Sequence, residues 1–258
     1  DGIESFGRDV SKINKRLSAP DGYKPEPLTD FSKKENRDAM QEAVTKIRRE
    51  FNKKYPLIIG EQRVFTEDLI CSKNPARFGK DEIVGYVARA SREHAGQALA
   101  VAEQSFAGWN AMPVKERSSI LLRAAEIIRS RRMDLAAWQI FEASKTWREA
   151  DADVAEAVDF LEYYARMAEY LMAYQSTEEL SGEANECGYE GRGIAVVISP
   201  WNFPMAIAVG MCSAALVTGN AVIFKPASAT AVSGYKIAEI FLEAGVPSGV
   251  LNFLPGSG

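Results

Sequence analysis

No run of apolar residues in this 258-residue chain approaches the roughly 18–20 that a membrane-spanning helix needs. The longest lightly charged stretch, 193–224, is broken by prolines, asparagines and glycines. Nor is there an excess of positive charge: 31 Lys and Arg face 35 Asp and Glu, for a net charge of −4. Without a basic stripe to displace counterions, nucleic acid is not expected as a partner, and neither is a membrane. Cysteine is scarce. Cys71, Cys187 and Cys212 have neither disulfide nor metal-ligand spacing, so no metal is expected and a reducing cytoplasm (or mitochondrial matrix) fits best. No secretory signal is read at the amino end. The only histidine, His94, is expected to cap or decorate the helix after Ser91; Cys212 reads as a buried hydrophobe, and Cys71 and Cys187 as inert. No repeat or low-complexity tract occurs. At 47% hydrophobic and 26% charged, the chain can bury a real core.

Two apolar runs carry most of the information. Ile194–Ile198 is unbroken, as expected of a parallel strand buried on both faces, and it ends in a proline-bracketed corner holding Trp201 and Asn202. The second run, 221–224, ends in Lys225. Between them Ala206–Val217 is apolar and rich in small residues, the profile of a crossover helix, and Gly219-Asn220 ends it. Ser228 or Thr230 is placed to cap a further helix through Leu242 that stops at Gly245, with Pro247 behind it. A third strand, 250–254, runs into Pro255-Gly256-Ser257-Gly258. Right-handed crossovers in this β-α-β-α-β order place the three carboxyl ends on one edge, where ligands of doubly wound sheets bind.

Ser199-Pro-Trp-Asn-Phe-Pro204, with Lys225-Pro-Ala-Ser228 and Pro255-Gly-Ser-Gly258, resembles the NAD(P)-dependent aldehyde dehydrogenases. Tyr55-Pro-Leu-Ile-Ile-Gly60, Asn74-Pro75, Val84-Gly-Tyr-Val87, Glu149-Ala-Asp-Ala-Asp153 and Asp159-Phe-Leu-Glu-Tyr-Tyr-Ala-Arg166 narrow the likeness to L-glutamate γ-semialdehyde (1-pyrroline-5-carboxylate) dehydrogenases. The likeness covers residues 23 to 258. It implies an α/β fold with a doubly wound, Rossmann-type parallel sheet, N-terminal helices and an oligomerisation hairpin, the sheet being incomplete in this chain. It also implies oxidation of an aldehyde through a cysteine thiohemiacetal and hydride transfer to NAD or NADP. The family's nucleophilic cysteine and general-base glutamate lie beyond position 258, so none of the three cysteines is taken as the nucleophile. Residues 1–54 are then a linker and helical arm, 55–258 the N-terminal part of the cofactor domain, and the catalytic domain is absent.

The likeness assigns roles residue by residue. Asn202 is the amide donor to the oxyanion, although in isolation it reads sooner as a helix-capping asparagine beside Pro204. Lys225 hydrogen-bonds the adenosine ribose, where the plain alternative is a lysine reaching water from a strand end. Many NAD-specific members carry a glutamate where this chain has Ser228, which keeps NADP open because serine does not repel a 2′-phosphate. Ile198, Ser199, Pro200 and Trp201 form the floor under the nicotinamide ribose; Ala227 belongs to the Lys-Pro-Ala motif, and Gly256 and Gly258 let the backbone approach the adenine. That glycine fragment is a weak signal by itself. Phe203 and Ile207 line the aldehyde tunnel, or simply pack in the core, and Gly210 leaves room on the same helix face.

Elsewhere, Met40, Val44, Ile47 and Phe51 mark a surface helix within residues 30–54. Short β-rich runs at 57–59, 63–65 and 69–71 predict a hairpin. Helices are expected from Ser91 through Trp109, after Pro113, over 133–143, and along the seam Val154, Val158, Leu161, Ala165, Ala168, Met172. Asp151, Asp153 and Glu156 read as a solvated helix start favoured by the dipole. Residues 176–192 read as a strand pair, which in the family joins a partner subunit's sheet, or as a plain solvent loop. Homo-oligomers are therefore expected, as is a fused or cooperating proline dehydrogenase with residues 1–22 as linker. Two rivals stay open: an aldehyde dehydrogenase for another semialdehyde or aliphatic aldehyde, and a non-catalytic nucleotide-binding or assembly module.

Overall fold

In the computed structural model, which describes residues 23–77, 79, 81–177 and 180–257, helix α1 (Lys34–Arg48) leads into β1 (Lys53–Tyr55), β2 (Leu57–Ile59), β3 (Gln62–Val64), β4 (Leu69–Lys73) and β5 (Ile83–Ala88). Four helices follow: α2 (Arg92–Ala111), α3 (Val114–Ser130), α4 (Arg132–Ala143) and α5 (Trp147–Leu171). A short pair, β6 (Gln175–Ser176) and β7 (Glu186–Cys187), comes before β8 (Ile194–Ile198), α6 (Ala206–Val217), β9 (Ala221–Lys225), α7 (Ala231–Glu243) and β10 (Leu251–Phe253). No helix among the described residues is long and apolar enough to cross a membrane.

The expected β-α-β-α-β unit is present. Strands β8, β9 and β10 are neighbours and parallel, and β2 and β3 extend the sheet as an antiparallel hairpin in the order β3-β2-β10-β9-β8. The sheet is thus mixed rather than wholly parallel. The third β-rich run leaves the hairpin: β4 pairs antiparallel with β5, which also pairs parallel with β1, in a second sheet. The β2–β3 turn, with Gly60 at φ +59°, is tight and keeps these two strands together. β6 and β7 pair antiparallel, which supports the strand-pair reading of residues 176–192.

Helices α6 and α7 cover one face of the larger sheet, where Val197, Val222, Phe224 and Phe253 join the main core. Helix α2 covers the other, packing Ala98 and Val101 over Leu57, Ile59, Ile223 and Leu254. It touches the outer strand β8 without covering it. Val196 and Ile198 are each 61% exposed, so β8 is an edge strand with one open face, contrary to the both-faces-buried expectation.

Local chemistry sets the helix starts. Ser91 accepts the amide of His94, whose ring nitrogen accepts the Ser91 amide, so His94 does cap its helix. Thr146 and Glu149 do the same for α5. The α5 seam is buried as its period predicts; Val154, Val158 and Leu161 are within 1% of full burial, each stabilising by about 1.5–3 kcal/mol. Cys212 is fully buried, and burial pushes its thiol far up. Residues 23–33, the lead-in of the N-terminal arm, lie against the helices: Glu26 pairs with Arg129 and Arg132, and the Glu26 amide donates to Asp159. The proposed linker 1–22 lies outside the described residues.

Candidate active site

The parallel ladder carries β8 and β9 upward in step, with Ile198 opposite Lys225. The Ser199 amide then donates to the Lys225 carbonyl at 3.2 Å, and the Leu254 amide to the Phe224 carbonyl at 2.9 Å. Since paired residues of a parallel sheet share a face, Lys225 stands beside Ile198 on the side that α2 leaves open. Beyond Ile198 the corner separates by burial. Ser199 and Pro204 are buried and Pro200 half-buried, while Trp201, Asn202 and Phe203 are exposed. Proline on both sides removes backbone donors and stiffens this turn. The Asn202 amide and the Lys225 ammonium have no hydrogen-bond or ionic partner among the described residues. The carboxyl edge therefore carries two unengaged polar groups in an apolar setting of Ile198, Trp201 and Phe203.

The Lys225–Ser228 segment is held from below. Pro226 packs on α7 at Gly234, where a Cβ would come within 2.6 Å of the proline ring. The Ser228 hydroxyl donates to the Gly256 carbonyl at 3.3 Å, and the Ala90 amide to the Pro255 carbonyl at 2.8 Å. Ala227, Ser228 and Gly256 thus meet where β9 and β10 end. A Cβ on Gly256 would meet only the Ala90 carbonyl, at 3.6 Å, so nothing in the described structure crowds this backbone. Gly258 lies outside the described residues.

Neither Ser228 nor Thr230 caps α7 with its side chain. Glu142, at the end of α4 and 2% exposed, does so from across the fold. One carboxylate oxygen accepts from Ser72 Oγ (2.6 Å) and the Val232 amide (3.0 Å); the other accepts from the Ser233 amide and hydroxyl (both 2.6 Å). Burial pushes this carboxyl up, against the pull of those four donors.

The acidic cluster is a correction. Asp151 and Asp153 are 2% and 0% exposed, and only Glu156 is solvated. The Asp151 carboxylate grips the Arg132 guanidinium at 2.6 and 2.8 Å and accepts the Thr29 amide (2.8 Å) and hydroxyl (2.6 Å). Asp153 pairs with Lys145 Nζ at 2.7 Å and accepts the Ala206 amide, also at 2.7 Å. Helix seams pair acids with bases here because charges in a core require counterions. Among the described residues no group of three metal-ligating side chains is assembled.

Burial pushes the Asp151 carboxyl up, but the Arg132 fork and the Thr29 bonds outweigh it and hold the group below its ordinary value of 3.8. The folded state thus binds this proton less tightly than the unfolded chain. Its contribution is present above about pH 3.8 and is lost as pH falls through the lowered folded value. Asp151→Asn is expected to cost about 1–3 kcal/mol near neutrality. Urea midpoints of parent and variant should converge as the pH is lowered below that window, and a gap that stays constant would contradict the assignment.

Phe203 is 42% exposed at the corner, and Ile207, the second residue of α6, is half-buried, its amide donating to the Phe203 carbonyl at 3.3 Å. Gly210 does not leave open room. A Cβ there would lie 2.9 Å from the Phe160 ring, which occupies the space and stacks on Tyr164. Phe160, Lys145 and Glu142 are the residues that sequence reasoning did not single out; Phe160 sits inside a quoted motif, but nothing local marks the other two. A separate apolar groove between the ends of α5 and α6 is lined by Tyr164, Leu171, Tyr189 and Val217. Thr218 on its wall leads directly into β9, which puts that groove at the amino edge of the strands, away from the corner.

Comparison with known proteins matches this arrangement. The 1-pyrroline-5-carboxylate dehydrogenase of Geobacillus thermodenitrificans (strain NG80-2) is 51% identical over 236 residues, 92% of this chain and 45% of that protein. A Halalkalibacterium halodurans protein of the same name with the suffix 1 is 48% identical over the same span. The chain thus spans 45% of the length of these curated relatives. Among solved structures, 1-pyrroline-5-carboxylate dehydrogenase from Thermus with bound NAD aligns with a TM-score of 0.88 at 45% identity, over 92% of this chain and 46% of that one. Proline utilization A from Bdellovibrio bacteriovorus aligns with a TM-score of 0.89 at 37% identity, over 92% of this chain and 24% of that one. Residues 66–258 match the Aldehyde dehydrogenase family, and the chain belongs to it.

Proposed function

We propose that this chain forms the cofactor-binding part of an enzyme that oxidises L-glutamate γ-semialdehyde to L-glutamate with NAD. The observation that carries the reading is the Ile198–Lys225 register. It brings an unengaged amide and an unengaged ammonium to one open strand edge, in a chain about half identical to 1-pyrroline-5-carboxylate dehydrogenases. The residues present fit a dinucleotide. Lys225 is an ammonium whose demand a ribose diol would meet, the backbone at Gly256 is buried but uncrowded where β9 and β10 end, and Ile198, Ser199, Pro200 and Trp201 offer a largely apolar floor. NAD, when bound, supplies the hydride acceptor. NAD is favoured over NADP by the Thermus relative, whose structure holds it.

The chain's own part in the chemistry is electrostatic. As a nucleophile adds to the aldehyde, the carbonyl oxygen gains negative charge, and the Asn202 side-chain N–H donates to it. Phe203 and Ile207 guide the substrate's carbon chain, and Phe160 closes the space at Gly210. The nucleophile is assigned outside this chain: Cys212 is buried, and Cys71 and Cys187 lie on β4 and β7, away from the corner. The β6–β7 pair is assigned to joining a second subunit, and a proline dehydrogenase is the partner expected to supply the substrate.

The complete enzyme, comprising this chain and the remaining length that its relatives possess, should be assayed with glutamate γ-semialdehyde, succinic semialdehyde and an unsubstituted aldehyde of equal length. The first is expected to lead in kcat/KM by at least about tenfold. A lead for either of the others would replace the substrate assignment. No NADH formation with any of the three would favour a non-catalytic module.

A further inference from the structure

The amide at position 202 can stabilise an oxyanion only if the corner that carries it is rigid, and the corner is exposed. Trp201, Asn202 and Phe203 all face solvent, and Met205, the residue before helix α6, gives it no side-chain cap. Support comes from elsewhere. Asp153, on α5 and fully buried, accepts the amide of Ala206, the first residue of α6, at 2.7 Å. Its other oxygen holds Lys145 Nζ at 2.7 Å, and that ammonium also sits 4.3 Å from the centroid of the Phe203 ring. The side chain of Lys145 is 9% exposed.

We infer that the Lys145–Asp153 pair is a positioning device for Asn202, gripping the corner on its helix side through Ala206 and on its exposed side through Phe203. Capping α6 requires only the carboxylate. A lysine at this place adds nothing to the cap, yet it links the cap to the ring directly after Asn202 by a cation–π contact. Stability is a poor reason to bury such a pair, because desolvating two charges costs about as much as their attraction returns. Fixing a donor is a better one: a displacement of about 1 Å at a reacting centre lowers rate roughly 10²-fold. Lys145 and Asp153 touch neither substrate nor cofactor in this arrangement and act through Asn202 alone. The inference rests on the reading of Asn202 as the oxyanion donor.

The test is a mutant cycle in the complete enzyme. Lys145→Met with Asp153→Asn removes the pair without orphaning a charge, and Asn still offers an oxygen to the Ala206 amide. This double variant should lower kcat about 10–100-fold with the NAD Kd within about twofold of the parent. In an Asn202→Ala background the same two changes should lower kcat less than about twofold, since the donor they position is gone. Lys145→Arg alone, which keeps the charge over Phe203, should retain most of the activity. An unchanged kcat in the double variant, equal losses in both backgrounds, or an Arg variant as impaired as the double variant would overturn the inference. Should Asn202→Ala by itself leave kcat intact, the oxyanion assignment falls, and this inference falls with it. A large Asn202→Ala effect alongside a silent Lys145/Asp153 variant removes only the positioning role.

Discussion

Asn202→Ala in the complete enzyme is expected to lower kcat about 10²–10³-fold, the loss that follows removal of one oxyanion donor. The NAD Kd should stay within about twofold, because the proposed reading gives Lys225, Ser228 and Gly256, and not Asn202, the task of holding the far end of the dinucleotide. The expected asymmetry follows from when the charge exists. The ground-state aldehyde oxygen is nearly neutral and gains little from a fixed N–H; the adduct oxygen is an anion and gains much. KM should therefore move less than kcat. Single-turnover NADH formation measures the effect directly, with cofactor affinity followed separately by fluorescence quenching. If the variant loses cofactor affinity and keeps its turnover rate, Asn202 is a structural cap and the site must be sought elsewhere.

Glu142→Ala is expected to destabilise the fold by about 2–6 kcal/mol, since the Val232 and Ser233 amides would each be left buried without an acceptor at about 1–3 kcal/mol apiece. The serine hydroxyls can turn to other acceptors; backbone N–H groups cannot. Glu142→Gln is the sharper variant. Each carboxylate oxygen accepts a backbone amide, so either orientation of a glutamine sets its NH2 against an N–H donor. About 1–3 kcal/mol should be lost despite the nearly identical shape. Because the α7 start follows directly on the Lys225–Ser228 segment, the Gln variant should also weaken NAD binding. Urea unfolding and NAD titration of the two variants check both effects. A Gln variant as stable as the parent would show that Glu142 is held protonated and that the four contacts are not all donations to it.

The strands, their parallel order and the corner residues were legible because their signals are local. An uninterrupted apolar run, a proline pair and a lysine at a strand end can be read without knowing what lies nearby. The helix start with its own cap at Ser91 was legible for the same reason; the equally local cap at Thr146 was not singled out. What could not be read was supplied at long range. The cap of α7 comes from Glu142, 90 or more positions away, so Ser228 and Thr230 were the natural but mistaken candidates. Asp151 and Asp153 looked like a solvated helix start because sequence spacing does not reveal that Arg132, Lys145 and the Ala206 amide converge on them. The burial of β8 was overestimated from its composition: covering Val196 and Ile198 needs a neighbour over both side chains, and α2 touches the strand but leaves them open. The space at Gly210 was misread since Phe160 comes from another helix.

Strand β8 also has a consequence for the behaviour of the chain in solution. Its five residues, Ile-Ala-Val-Val-Ile, are uncharged and β-prone, and among the described residues they hydrogen-bond on one side only, to β9. Segments of this kind template cross-β stacking when left bare. Arg192 two residues before the strand and Pro200 two residues after it are then gatekeepers: a charge at the entrance and a missing donor at the exit limit how far an incoming strand can zip. The same proline that shapes the corner at Asn202 thus also guards it against fibril growth.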